Sequence, residues 1–249
     1  MSIATRAASG PSRELHSPGQ RTAPSAALGT ARTTGLLYLA LALTGLVGFL
    51  ILRPQVFTDD AAATVAELVE HESVARLVVA LELGVVLAQA LVALWFYRLF
   101  RPVDSVAAGA LAAFGLVNAT AILVSAASLA TALERALDPI GDATGQVQLL
   151  IGLSDNLWLA GGLFFGLWLV PMGLLVLRCA GMPRLLGWLL IGGGVGYVLS
   201  AFVTTLAPGA QPVADALATT ATIGEVWMIG YLLHGGVFRG AAAEGRRSL

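Results

Sequence analysis

The chain has 249 residues, 57% of them hydrophobic and 12% charged, with a formal net charge of −1. Soluble domains average about 25% charged residues, so this composition excludes a soluble globular domain, and the hydrophobic content excludes disorder over most of the length. The near-neutral balance supplies no field for nucleic acid, and the single cysteine, Cys179, excludes an intrachain disulfide or a cysteine-based metal cluster.

The class that remains is an all-α, polytopic membrane protein, and the elements follow in chain order. Residues 1–31 are rich in Ser, Pro, Gly, Ala and Arg, show no apolar period, and read as a disordered cytosolic tail. No apolar core follows the early arginines there, so the tail does not read as a secretory signal. Six apolar stretches come next, each long enough to cross a hydrocarbon core of about 30 Å. They run from about Thr34 to Leu52, Leu77 to Phe100, Ser105 to Leu129, Leu149 to Leu177, Leu185 to Leu206 and Leu217 to Val237. The membrane domain therefore spans 32–238 in one six-helix bundle, and 239–249 forms a second cytosolic tail.

Orientation follows from the arginines, which are all fourteen of the basic residues. With the N-terminus in the cytoplasm, eleven fall on the inner side and only Arg53, Arg76 and Arg135 on the outer side. The positive-inside rule then predicts that both termini are cytoplasmic. Between the first and second stretches, Asp59 and Asp60 are suited to cap a helix. Val65, Leu68 and Val69 share a face at i, i+3, i+4, which predicts a short amphipathic helix on the outer surface. It reads either as a lid or as an acidic surface that recruits cations or a partner. Pro171 is expected to kink the fourth span or free a carbonyl there. Gly162 and Gly166 in the fourth span, and Gly192, Gly196, Ser200 and Thr204 in the fifth, predict close helix approach within the bundle.

The segment LFFGLWLVPMGLLVLRCAGMPRLLGWLLIGGGVGYVLSAF, with Gly166, Leu167, Pro183, Arg184, Gly187, Gly196 and Tyr197, resembles the fourth helix, inner loop and fifth helix of a bacterial membrane family. That family is described as domain of unknown function 4386. The start of the first span, ARTTGLLYLALALTGLVG, with Arg32, Gly35 and Tyr38, is similar as well. So are LWFYRLFRPVDSVAA at the end of the second span and GEVWMIGYLLHGG in the last. The resemblance covers about Arg32 to Gly236. It implies a six-helix integral membrane protein in a bacterial plasma membrane, and it implies no reaction.

Polar residues inside spans are costly and so mark function by default. Here they are Glu82, Gln89, Asn118, Asp155, Asn156 and Glu225. At about 1.5 Å per helical residue, Glu82, Asp155 and Glu225 fall roughly 8–12 Å below the outer surface, in one layer. Glu82 shares a face with Gln89, Asn118 with Ser125, Asp155 with Gly162 and Thr222 with Glu225. If these faces point inward they line an outward-open polar pocket, with His71, Glu72 and Arg76 at its rim. Three carboxylates at short range do not all stay charged without compensation. The open alternatives are a protonated acid, a bound cation, or neutralisation by Arg76 reaching from its own helix.

Other chemistry is missing. There is no His-Glu-x-x-His pair, nucleophile elbow or phosphate loop. The GGGVG run at 192–196 lies within a span and reads as packing. His71 and His234 lie at opposite membrane faces and do not share a metal or haem. His234 reads as an interfacial anchor and Cys179 as an inert thiol. Tyr38, Trp95, Tyr97 and Trp188 read as amphipathic aromatics, some of them interfacial. No cofactor is implied, and a metal is left open. The expected partners are the lipid bilayer and a small cation, proton or small molecule. No nucleic acid is expected, and the oligomeric state is open. The leading functional reading is a non-enzymatic module whose outward-facing pocket binds or passes such a ligand. The alternative is a structural or regulatory subunit whose acids only hold helices together, and an intramembrane enzyme comes third.

Overall fold

The computed structural model describes residues 23–58 and 60–234. Most of the tail read at 1–31, all of the tail at 239–249, and Asp59 lie outside these. The described chain is helical throughout, with no strand: α1 Ala23–Gly45, a π-helix Leu46–Leu52, α2 Arg53–Val56, α3 Ala61–Glu70, α4 Glu72–Phe100, α5 Ser105–Leu137, α6 Ala143–Arg178, α7 Arg184–Leu206, a 3-10 turn Pro208–Ala210, and α8 Gln211–Leu233.

Among the described residues, six helical runs are long and apolar enough to cross a membrane. Five are α4 to α8, and the other is the composite run Leu28–Val56, which joins α1, the π-helix and α2. This is an all-α integral membrane protein. In apolar surroundings every backbone N–H and C=O must be satisfied within its own segment, which leaves the helix as the available form. The helices pack in a closed ring, α1 on α4, α4 on α5, α5 on α6, α6 on α7, α7 on α8, and α8 back on α1.

Caps set the ends of several spans. The Asp104 carboxylate accepts from the Val106 and Ala107 N–H groups and starts α5. Asp142 accepts from Gly145 N–H and starts α6. Asp60 accepts from Ala63 N–H and starts α3, whose Thr64 and Leu68 are buried while Val69 is exposed. The helix α6 runs unbroken through Pro171.

Inside the ring the residues form layers seven positions apart. On α4 the series is Glu82, Gln89, Phe96; on α5 it is Ser125, Asn118, Leu111; on α6 it is Ser154, Gly161, Trp168, and all nine are buried. Seven residues are close to two helical turns, about 10 Å. Phe96, Trp168 and Tyr38 form the lowest layer, with near-perpendicular rings 5.4–5.7 Å apart. Such edge-to-face contacts are the favoured aromatic geometry. The uppermost layer is charged, and the middle one is partly open.

Candidate functional site

Arg53 anchors the charged layer. The first span continues past Leu52 into α2, with Pro54 in the first turn of that short helix. Through the preceding π-helix, the Arg53 backbone N–H donates to Gly48 O. The side chain is thereby turned into the bundle and is only 8% exposed. Its Nη1 donates to Glu82 Oε1 at 2.8 Å, and its Nη2 to Asp155 Oδ1 at 2.6 Å and Ser154 Oγ at 3.1 Å. The Ser125 hydroxyl donates to Glu82 Oε2 at 3.1 Å and lies 2.7 Å from Ser154 Oγ. The guanidinium carbon lies 5.4 and 5.5 Å from the ring centres of Phe49 and Phe57, one turn to either side. A buried charge survives only with this density of partners.

The middle layer holds a cavity of about 210 Å³. All six spans line it, with Tyr38, Gln89, Asn118, Trp158, Tyr197 and Glu225 as its chief polar groups. Trp158 joins the two layers, since its ring lines the cavity while its indole N–H donates to Glu82 Oε1 at 3.1 Å. Gln89 is fully buried, and neither its amide oxygen nor its amide nitrogen has a partner. On the far side the Tyr38 hydroxyl donates to Glu225 Oε1.

The residues singled out from sequence therefore divide. Gln89, Asn118 and Glu225 line the cavity. Glu82 and Asp155 belong to the Arg53 cluster. Asn156 faces away: its amide donates to Gly152 O at 2.8 Å, and it sits in a shallow groove with Leu159 and Phe202. His71 lies 3.4 Å from Glu67 on the surface, and Arg76 pairs with Glu72 at 2.6 Å, one turn away. The counter-ion of Glu82 and Asp155 is thus Arg53 and not Arg76. The three acids do not converge either, and among the described residues no three His, Cys, Asp or Glu side chains gather as metal ligands.

Sequence reading missed Arg53, Ser154, Trp158 and the role of Tyr38. For Arg53 a signal was present. Phe49, Arg53 and Phe57 recur at i, i+4, i+8, a helical stripe that a loop has no reason to carry.

At the opposite end of the bundle, Arg178 pairs with Asp104 across two loops. The Tyr231 hydroxyl donates to Gly181 O at 2.5 Å. Burial pushes the nearby Cys179 thiol up to about 11, which is the opposite of an activated cysteine.

A family model described as a domain of unknown function (DUF4386) matches residues 33–236. No curated protein and no solved structure matches the chain.

Proposed function

The chain belongs to the domain of unknown function 4386 family, and for this member we propose that it binds a small molecule in the cavity enclosed by its six spans. The observation that carries the reading is Gln89. A buried amide with neither atom paired costs about 1–3 kcal/mol, and apolar positions elsewhere on α4 are filled by Val, Ala and Leu. Gln89 lines the cavity, so a ligand there that reached its amide would supply the missing partner. Asn118 and Glu225 stand beside it as further ligand contacts.

The Arg53 cluster supports a second, structural role for the other two acids. Glu82, Asp155, Ser125 and Ser154 gather around Arg53 and with it tie four spans together, and none of the five lines the cavity. The same facts argue against an enzyme. Ser125 lies within reach of a carboxylate, but both are buried in the cluster, away from space for a substrate. The arginine distribution supports cytoplasmic termini and the α3 end outside.

The test is Gln89→Leu, with unfolding followed in mixed micelles titrated with SDS. If Gln89 is kept for a ligand, leucine removes the unpaired amide and the ligand-free protein gains about 1–3 kcal/mol. If Gln89 holds helices together, stability falls or stays level, and the binding reading is overturned.

A further inference from the structure

The proposal below rests on the binding reading and deepens it. The cavity is open at its side. Ala42 on α1 and Thr222 and Val226 on α8 line it and are also exposed on the flank of the bundle. Towards the Gly181 end the two helices close. A Cβ placed on Gly35 would lie 3.0 Å from Leu232 Cβ and 3.1 Å from Leu233 N. Next comes the Tyr38–Glu225 hydrogen bond. Beyond it, a Cβ on Gly45, which also lines the cavity, would meet nothing within 4 Å. The helices have parted there. Leu43 on α1, Leu46 at the start of the π-helix, and Ile223 and Val226 on α8 are all exposed large apolar side chains near the opening. A ligand that enters this way comes from hydrocarbon rather than from water.

Size limits what enters. At about 30 Å³ per water, 210 Å³ equals roughly seven waters. Pockets that enclose a whole drug-sized ligand hold roughly 300–1,000 Å³. The cavity therefore accommodates a head group, and the rest of the molecule lies in the opening.

Charge identifies the head. Glu82 and Asp155 share Arg53, but among the described residues Glu225 has no ion-pair partner. It faces a space whose walls include the rings of Tyr38, Trp158, Phe165 and Tyr197. A carboxylate among aromatic faces is the arrangement that recognises an ammonium ion. Gln89 and Asn118 add amide oxygens for its N–H groups. We propose that this protein takes an amphiphilic amine from the bilayer through the α1–α8 opening, with the ammonium group at Glu225 and the chain in the opening.

The test uses the full-length protein in zwitterionic nanodiscs, with binding read from quenching of tryptophan fluorescence. The probes are dodecylamine, dodecanol and propylamine. The expected result is dodecylamine binding at least tenfold tighter than either of the others. Glu225→Gln should lose tenfold or more for dodecylamine. Gly45→Leu, which projects into open space and leaves the fold intact, should do the same by blocking the opening. Equal binding of amine and alcohol, unaffected by Glu225→Gln, would overturn the ammonium assignment. Propylamine binding as tightly as dodecylamine and indifferent to Gly45→Leu would overturn entry from the bilayer. Silence from all three probes overturns this inference. The binding reading falls with it only if Gln89→Leu also fails to gain stability.

Discussion

Arg53 shows what a single side chain costs and returns in this bundle. It is buried with two carboxylates and the Ser154 hydroxyl in reach, so its removal leaves the buried Glu82 without its counter-ion. Breaking a buried pair from one side typically costs about 3–5 kcal/mol. Arg53→Met is therefore expected to lower the unfolding free energy in mixed micelles by about that amount. Adding Glu82→Gln should return part of the loss, because the stranded charge is gone; a double variant less stable than Arg53→Met alone would contradict the coupling. At this scale the sequence was legible in its acids, and in their partner only through the spacing of Phe49, Arg53 and Phe57. Glu82, Asp155 and Glu225 stand out from an apolar background by charge alone. Arg53 follows seven apolar residues and precedes a proline, which is also how an ordinary span ends. Only its backbone conformation turns it inward.

Helices α6 and α7 show how glycines are divided between neighbours. A Cβ on Gly173 would lie 2.5 Å from Gly187 O, and one on Gly194 would lie 2.7 Å from Gly166 O. Those four let α6 and α7 touch backbone to backbone. Gly193 and Gly196 serve the other side, where a Cβ would lie 2.6 Å from Ala221 Cα and 2.7 Å from Leu217 O on α8. The stripe read from sequence through Gly192, Gly196, Ser200 and Thr204 catches one partner of a helix that has two. Gly192 itself is exposed, with nothing within 4 Å of an added Cβ. Gly194→Val is accordingly expected to reduce thermal stability sharply or prevent folding, whereas Gly192→Val leaves the melting temperature within a degree or two. Similar effects at both positions would mean that the α6–α7 contact is looser than described. The six spans were legible because length and hydropathy suffice for them. Which glycine faces which helix was not, because in lipid all sides of a span are apolar and the periodicity that marks a buried face is weak.

For the whole molecule, the heptad layering was partly visible: the pairs Glu82 with Gln89 and Asn118 with Ser125 are two of its steps. The closure of the ring by α1 and α8 was not, since no local pattern joins the first span to the last. The proposed orientation can be checked with a membrane-impermeant maleimide. Glu70→Cys, at the exposed end of α3, should label in intact cells, and Arg101→Cys, in the exposed loop after α4, only after permeabilisation. Native Cys179, a partly exposed free thiol on the Arg101 side, is replaced by Ala in both variants so that only the introduced cysteines label. The reverse labelling pattern would invert the protein in the membrane.

The stretch Leu46–Leu52, LVGFLIL, has one further consequence. A π-helix takes up one more residue per hydrogen-bonded loop than an α-helix. Wound as an α-helix, the same seven residues would carry Arg53 about 100° further around the axis, off the acids and towards lipid. The segment would be just as greasy, and insertion into the bilayer would proceed as before. What the first span encodes at this point is a winding more than a composition, and a return to α-helical winding, invisible to any hydropathy profile, would disarm the charged layer.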